Sequence, residues 1–205
     1  MPLISDQDSN RIADAIAAAE AKTSGEIVAV VAAESSSYLY GPFLWAALPA
    51  LVVPWPLIYF TWMPIHLIYM VQLAVFFLLL AIFLPRPNRY WLIPRSVMRE
   101  QAHRRAVEQF LAQNLHTTHG RTGVLIYVSV AERFAEILAD TGIDKHVDKA
   151  TWQAIVDELT GHLGRNNPGD GFVAAISTCG DLLAKHYPPG SADPNELPDH
   201  LIVLE

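Results

Sequence analysis

"GVLIYVSVAERFAEILAD", residues 123–140, is the stretch whose reading decides the fold. Gly123-Val124-Leu125-Ile126-Tyr127-Val128-Ser129-Val130 is a short, nearly continuous apolar run, the pattern of a strand buried on both faces. Ala131-Glu132-Arg133 reads as a tight connection, and residues 134–140 as a second strand running back. The second strand alternates only partly, which predicts a less buried position. Upstream, Val97, Met98, Ala102, Ala106, Phe110 and Leu111 recur at three- and four-residue steps, so residues from Pro94-Arg95-Ser96 to about Asn114 predict a helix. Thr117-Thr118-His119-Gly120 terminates it. Downstream, Trp152, Ile155, Val156, Leu159 and Leu163 mark a helix over about 147–163. After a break at 164–168, Phe172, Ala175, Ile176, Cys179, Leu182 and Leu183 mark another over about 170–186.

The N-terminal side repeats this alternation. Ser5-Asp6-Gln7-Asp8 is an N-capping pattern before a helix reaching about Ala21. Thr23-Ser24-Gly25 ends that helix, and residues 26–33 form a β-branched run that predicts another buried strand. The order of elements argues for a layered α/β domain.

Between the first strand and the next helix lies a block of another kind. From residue 35 to residue 85 there is no Asp, Glu, Lys or Arg. A bilayer core about 30 Å thick is crossed by about 20 apolar residues in a helix. The block therefore predicts two spans, 42–61 and 65–84, with Trp62-Met63-Pro64 as the turn. Pro49, Pro54 and Pro56 make a kinked or re-entrant first segment the alternative to a straight span. A buried hairpin in a soluble protein is disfavoured, because a chain of 205 residues is too short to surround so long an uncharged block. Arg86, Arg89, Arg95, Arg99, Arg104 and Arg105 follow the second span, while the turn carries no charge, which predicts that both flanks are cytoplasmic. Arg86, Arg89, Arg95, Arg99, Trp62 and Trp91 are the expected membrane-interface residues. The resulting organisation is one discontinuous cytoplasmic domain from 1–40 and 86–187, a transmembrane hairpin over 41–85 and an extended tail over 188–205.

Bulk properties narrow the function. A net charge of −7 gives no support to nucleic-acid binding. The single cysteine, Cys179, falls on an apolar stripe and reads as core, and it excludes an internal disulfide. The opening residues lack the pattern of a signal peptide, and lipidation motifs are absent. No nucleophile elbow, P-loop, dinucleotide fingerprint or zincin motif is present.

Three quoted segments resemble the TPM domain family: "KTSGEIVAVVA" (22–32), "RTGVLIYVSVAERFAEILADTGIDKHV" (121–147) and "HLGRNNPGDGFVAAISTCGDLLAKHYP" (162–188). The resemblance implies an α/β/α sandwich, often membrane-attached, in a family linked to photosystem repair, acid phosphatase activity or calcium binding. Many relatives have a signal peptide and a C-terminal span, whereas this chain has an internal hairpin. Relatives typically have an Asp-Arg turn and a Gly-Tyr-Gly-Leu-Glu-like loop. Here the turn is Glu132-Arg133 and the loop runs from Ala139 to Asp144, while Gly169-Asp170-Gly171 matches the family's Gly/Asp element.

Glu132, Asp140 and Asp170 are the candidate metal ligands, expected to converge at one sheet edge and supply oxygens to Ca²⁺ or Mg²⁺. The alternative is that they cap and solvate element ends. Asp144, His146 and Asp148 lie two apart and do not share a helical face. His116 and His119 have a spacing compatible with zinc but lack nearby partners in sequence. The leading expectation is a membrane-anchored interaction or assembly module that meets the lipid bilayer and a membrane-protein partner, with a second copy of itself as a further candidate partner. A metal-assisted acid-phosphatase-like hydrolase is the alternative.

Overall fold

The computed structural model describes residues 4–118, 120–189, 197 and 199–204. Helix α1 (Asp6–Glu20) starts where the Ser5 hydroxyl accepts the Asp8 N–H at 3.1 Å, and it buries Ile12, Ile16 and Ala19 on one face. Strand β1 (Ile27–Ala32) is buried at every position. The apolar block folds as α2 (Tyr40–Val52), α3 (Pro54–Phe60) and α4 (Ile65–Phe83), followed by the short α5 (Arg86–Arg89) and a 3-10 turn over Tyr90–Leu92. Helix α6 (Arg95–Ala112) leads through a second 3-10 turn, Leu115–Thr117, to β2 (Val124–Ser129) and β3 (Phe134–Ala139). The short α7 (Thr141–Asp144), α8 (Lys149–Gly164) and α9 (Pro168–His186) precede β4 (Ile202–Leu204).

The sheet is open and mixed, in the order β3-β2-β1-β4. Strands β1 and β2 pair in parallel from Ile27–Val124 to Ala32–Ser129, and β2 and β3 pair antiparallel. Strand β4 lies parallel to β1, with Val30 opposite Ile202. This corrects the expectation of an extended tail over 188–205. Three residues are too few to show a period, so the strand is defined by its partner and not by its own pattern.

Successive strand residues point to opposite faces, and the two faces carry separate cores. Ile27, Ala29, Val31, Val124, Ile126 and Val128 pack in one cluster with residues of α1, α8 and α9. Val28, Val30, Ala32, Leu125 and Tyr127 pack in the other with Ala106 of α6 and with Leu115. A strand buried on both faces needs helices above and below it, which is why β1 and β2 lack polar alternation.

The chain divides into two compact units, 1–35 with 99–205, and 36–98. Within the second unit, Tyr40–Phe60 and Ile65–Phe83 are both long and apolar enough to cross a bilayer, by length and composition. The first is interrupted at Val53, ahead of Pro54, and resumes with Pro54 at the first helical position. The neck of the unit is tied. Arg89 is buried and donates from Nη1 to the Ser37 carbonyl at 2.6 Å, and Tyr38 meets Tyr90 edge-on at 5.9 Å. The Cβ position of Gly41 lies 2.6 Å from the Ile93 Cδ1 atom, so a side chain there would require the end of Ile93 to shift.

Candidate functional site

The carboxyl ends of parallel strands are where α/β sheets form clefts, because the chain leaves neighbouring strands there and helices begin. Strands β1 and β2 end side by side at Ala32 and Ser129. Just beyond them a polar network forms. The Glu132 carboxylate accepts the Ser35 N–H at 2.9 Å and the Ser129 hydroxyl, and the Ser35 and Tyr127 hydroxyls lie 2.9 Å apart. Burial holds the Tyr127 phenol above its ordinary value. The turn closes with Arg133 N–H on the Val130 carbonyl at 3.2 Å, and Arg133 takes a left-handed φ of 50°.

On the other face of the sheet, a cavity of about 490 Å³ opens between this turn, the end of α8 and the start of α9. Ser129, Arg133, Phe134, Thr160, Asn166 and Pro168 are among its lining residues. A second cavity, of about 560 Å³, runs along β3 and is lined by charges of both signs, including Arg99, Lys149, Glu136 and Asp157.

The three candidate metal ligands do not converge. Glu132 belongs to the turn beyond Ser129, whereas Asp140 follows Ala139, which pairs with Val124 at the far end of β2. A six-residue strand at 3.3–3.4 Å per residue sets the two carboxylates about 20 Å apart. Asp140 is buried, accepts from Arg121 Nε at 3.0 and 3.2 Å, and caps α7 through the Thr141 N–H at 2.6 Å. Asp170 lies in the first turn of α9 and is engaged by Arg11 and by Asn167 Nδ2 at 2.6 Å. The Arg11 hydrogen bond, with a smaller one from Asn167, holds the Asp170 carboxyl below its ordinary value. Among the described residues no group of three His, Cys, Asp or Glu side chains is placed to hold a metal ion. The expectation of one sheet edge is thereby corrected. A turn and the far end of its own hairpin lie at opposite ends by construction, and the helix ends offered Asp140 and Asp170 nearer partners. His119 lies outside the described residues.

The interface candidates separate as well. Trp62 and Trp91 are exposed, as are Arg95 and Arg99, whereas Arg89 is buried in the neck and faces a carbonyl. The Arg86 side chain lies outside the described residues. Two features escaped the sequence reading. The Ser35–Tyr127–Ser129–Glu132 network joins residues about a hundred apart, with only a serine at a strand end as local signal. The second is a carboxyl group at Glu20, which accepts the Ile27 N–H at 2.8 Å and lies beside Glu26 and Asp199.

Residues 92–182 match the model of the TPM domain. No curated protein matches. The NMR structure of the BA42 protein from the psychrophilic bacterium Bizionia argentinensis sp. nov. is similar, with a TM-score of 0.62 and 21% sequence identity. The similarity covers 98% of this chain and 95% of that one, and it is a likeness of fold.

Proposed function

We propose that this chain is a membrane-anchored TPM-like α/β/α module, interrupted by an inserted transmembrane hairpin, that serves interaction or assembly at the cytoplasmic membrane face. One observation carries the reading. Only 11% and 6% of the residues in the most apolar windows of the two long helices are buried within the protein. Core helices of a soluble protein would be mostly covered, and apolar surface of this extent needs a non-aqueous neighbour. The arginines that follow the second helix, against an uncharged turn, support a cytoplasmic position for both flanks. Hydrolysis through Glu132, Asp140 and Asp170 would need carboxylates that the sheet holds at opposite ends, so assembly is the better-supported role.

Two measurements test the reading. The full chain is expected to stay in the pellet after alkaline carbonate washing of membranes and to leave it in detergent. A reporter fused after Glu205 is expected to behave as cytoplasmic. Carbonate-soluble protein, or labelling of the fusion from outside intact cells, would refute the anchoring or the orientation respectively. Crosslinking in native membranes should then capture a reproducible membrane-protein partner, and recovery of the chain alone would count against the assembly role.

A further inference from the structure

Strand β3 stands at one edge of the sheet and pairs with β2 on one side only. The ladder decides which of its backbone groups stay free. Even-numbered residues of β2 bond to β1, as the Val124 N–H does to the Glu26 carbonyl at 2.8 Å and the Val130 N–H to the Ala32 carbonyl at 3.0 Å. Odd-numbered residues of β2 therefore face β3 and bond its even-numbered ones. The Asp140 N–H on the Gly123 carbonyl at 2.9 Å, just past the strand, keeps the same parity. Ala135, Ile137 and Ala139 are left with N–H and C=O groups turned outward, and no other backbone among the described residues takes them. No proline or charge stands at these three positions to block a further strand.

The cavity of about 560 Å³ lies along this edge. Helix α8 follows α7 and runs back beside β3, so Asp144 and Lys149 mark one end of the cavity and Arg133 and Asp157 the other. All four side chains are exposed, and each end carries one cation and one acid. Asp157 accepts from the Gln153 amide at 2.8 Å, a neutral donor that leaves its charge uncompensated. Arg99 and Glu136 also line the cavity, one of each sign, so its charges balance.

We infer that β3 pairs antiparallel with β3 of a second copy of this chain, about a twofold axis at Ile137, joining two sheets into one. The inference gives the assembly role its surface and rests on that role, though not on the membrane. In a twofold contact each end of the edge meets the opposite end of the other copy. Ile137 meets its own counterpart and Ala135 meets Ala139, so the outward groups of all three residues find partners. An axis moved one residue, to Glu136, would set that carboxylate directly opposite its counterpart, which is unfavourable. The same axis brings Arg133 towards Asp144 of the second copy, and Lys149 towards its Asp157. A peptide of a single charge sign would meet repulsion at both ends, whereas a second copy supplies the opposite sign at each.

The test uses the full chain in detergent micelles, read as monomer or dimer by native mass spectrometry. The natural chain should be dimeric. Asp157→Lys sets a lysine against Lys149 of the other copy and should weaken dimerisation about tenfold. Adding Lys149→Asp restores opposite signs between copies, so the double variant should recover the dimer. Within one chain the two positions lie more than two turns apart on α8 and do not meet. Ala139→Pro removes an outward donor without removing a bond to β2, and should also give monomer. If its circular dichroism departs from that of the natural chain, the charge variants decide alone. Lys22→Glu, beyond the end of α1, should remain dimeric. A monomeric natural chain, a dimer that survives Asp157→Lys, or loss without recovery in the double variant would overturn the pairing. Crosslinking in native membranes separates the two levels of failure. A monomeric chain that still captures a membrane-protein partner overturns the edge pairing alone, whereas a monomeric chain that captures none overturns the assembly role with it.

Discussion

At the scale of single residues, the acids of this protein differ by what their neighbours supply. Asp170 is held low by Arg11, whereas burial, reinforced by the charges of Glu26 and Asp199, pushes the Glu20 carboxyl up to about 9. The hydrogen bond from Ile27 opposes that rise without cancelling it. A raised folded value means that the folded protein binds this proton more tightly than the unfolded chain does. The resulting stability is fully present below the ordinary value of 4.5 and is lost as pH climbs to about 9. Glu20→Gln keeps an acceptor for Ile27 and a donor for Asp199 but cannot ionise. It should stabilise the fold by on the order of 1 kcal/mol near pH 9, allowing for solvent screening, and do nothing near pH 4.5. Urea titrations at both pH values check this, and an equal gain at both would show that ionisation is not the cause. Little of this was legible in the sequence. Cys179 was, because a small apolar side chain on a helical stripe is sorted by periodicity alone, and it is fully buried. Asp199 near Glu20, or Arg11 on Asp170, is fixed by how distant segments pack, and no local pattern encodes it.

At the scale of elements, the helices and strands that bury a face were legible, and those that depend on a partner were not. The helices α1, α6, α8 and α9 follow an apolar period across several turns, β1 and β2 are continuous apolar runs buried at every position, and β3 alternates in part. Strand β4 has three residues, and α7 has four, starting where Asp140 caps it. The α7 turn is held by packing that admits no side chain at Gly142. A Cβ there would strike the backbone carbonyls of both Gly120 and Arg121, while Gly142 N–H donates to the Arg121 carbonyl at 2.9 Å. Backbone cannot rotate away as a side chain can, so Gly142→Ala should destabilise by about 1–3 kcal/mol. Gly161, an exposed residue of α8, has open space around its Cβ position, and Gly161→Ala should be neutral or stabilising by up to about 1 kcal/mol. Denaturant midpoints of the two variants compare these directly, and equal shifts would contradict the packing described.

At the scale of the whole molecule, residues 36–98 interrupt the unit that holds the sheet. On the proposed membrane reading the number of spans matters, because two return the chain to the side it left and let β1 and β2 share one sheet. The 1–35 and 99–205 unit holds both cores of the sheet. Replacing residues 36–98 by a flexible linker should therefore give a detergent-free, soluble protein that retains its helix and strand signal by circular dichroism and elutes as a compact species. An insoluble or unfolded product would show that the unit depends on the hairpin for its own stability. The pairing of β1 with β2 also imposes a schedule on synthesis. Strand β1, buried at every position in the finished protein, leaves the ribosome long before β2, with residues 33–123 still to be made between them. At about 5–20 residues per second, that interval lasts roughly 5–20 s. For that time a sticky strand edge has no mate, while the apolar segment directly attached to it emerges next. On the proposed membrane reading, delivery to the bilayer and completion of the sheet are consecutive steps of one biosynthetic sequence, and a delay in the first lengthens the exposure that ends only with the second.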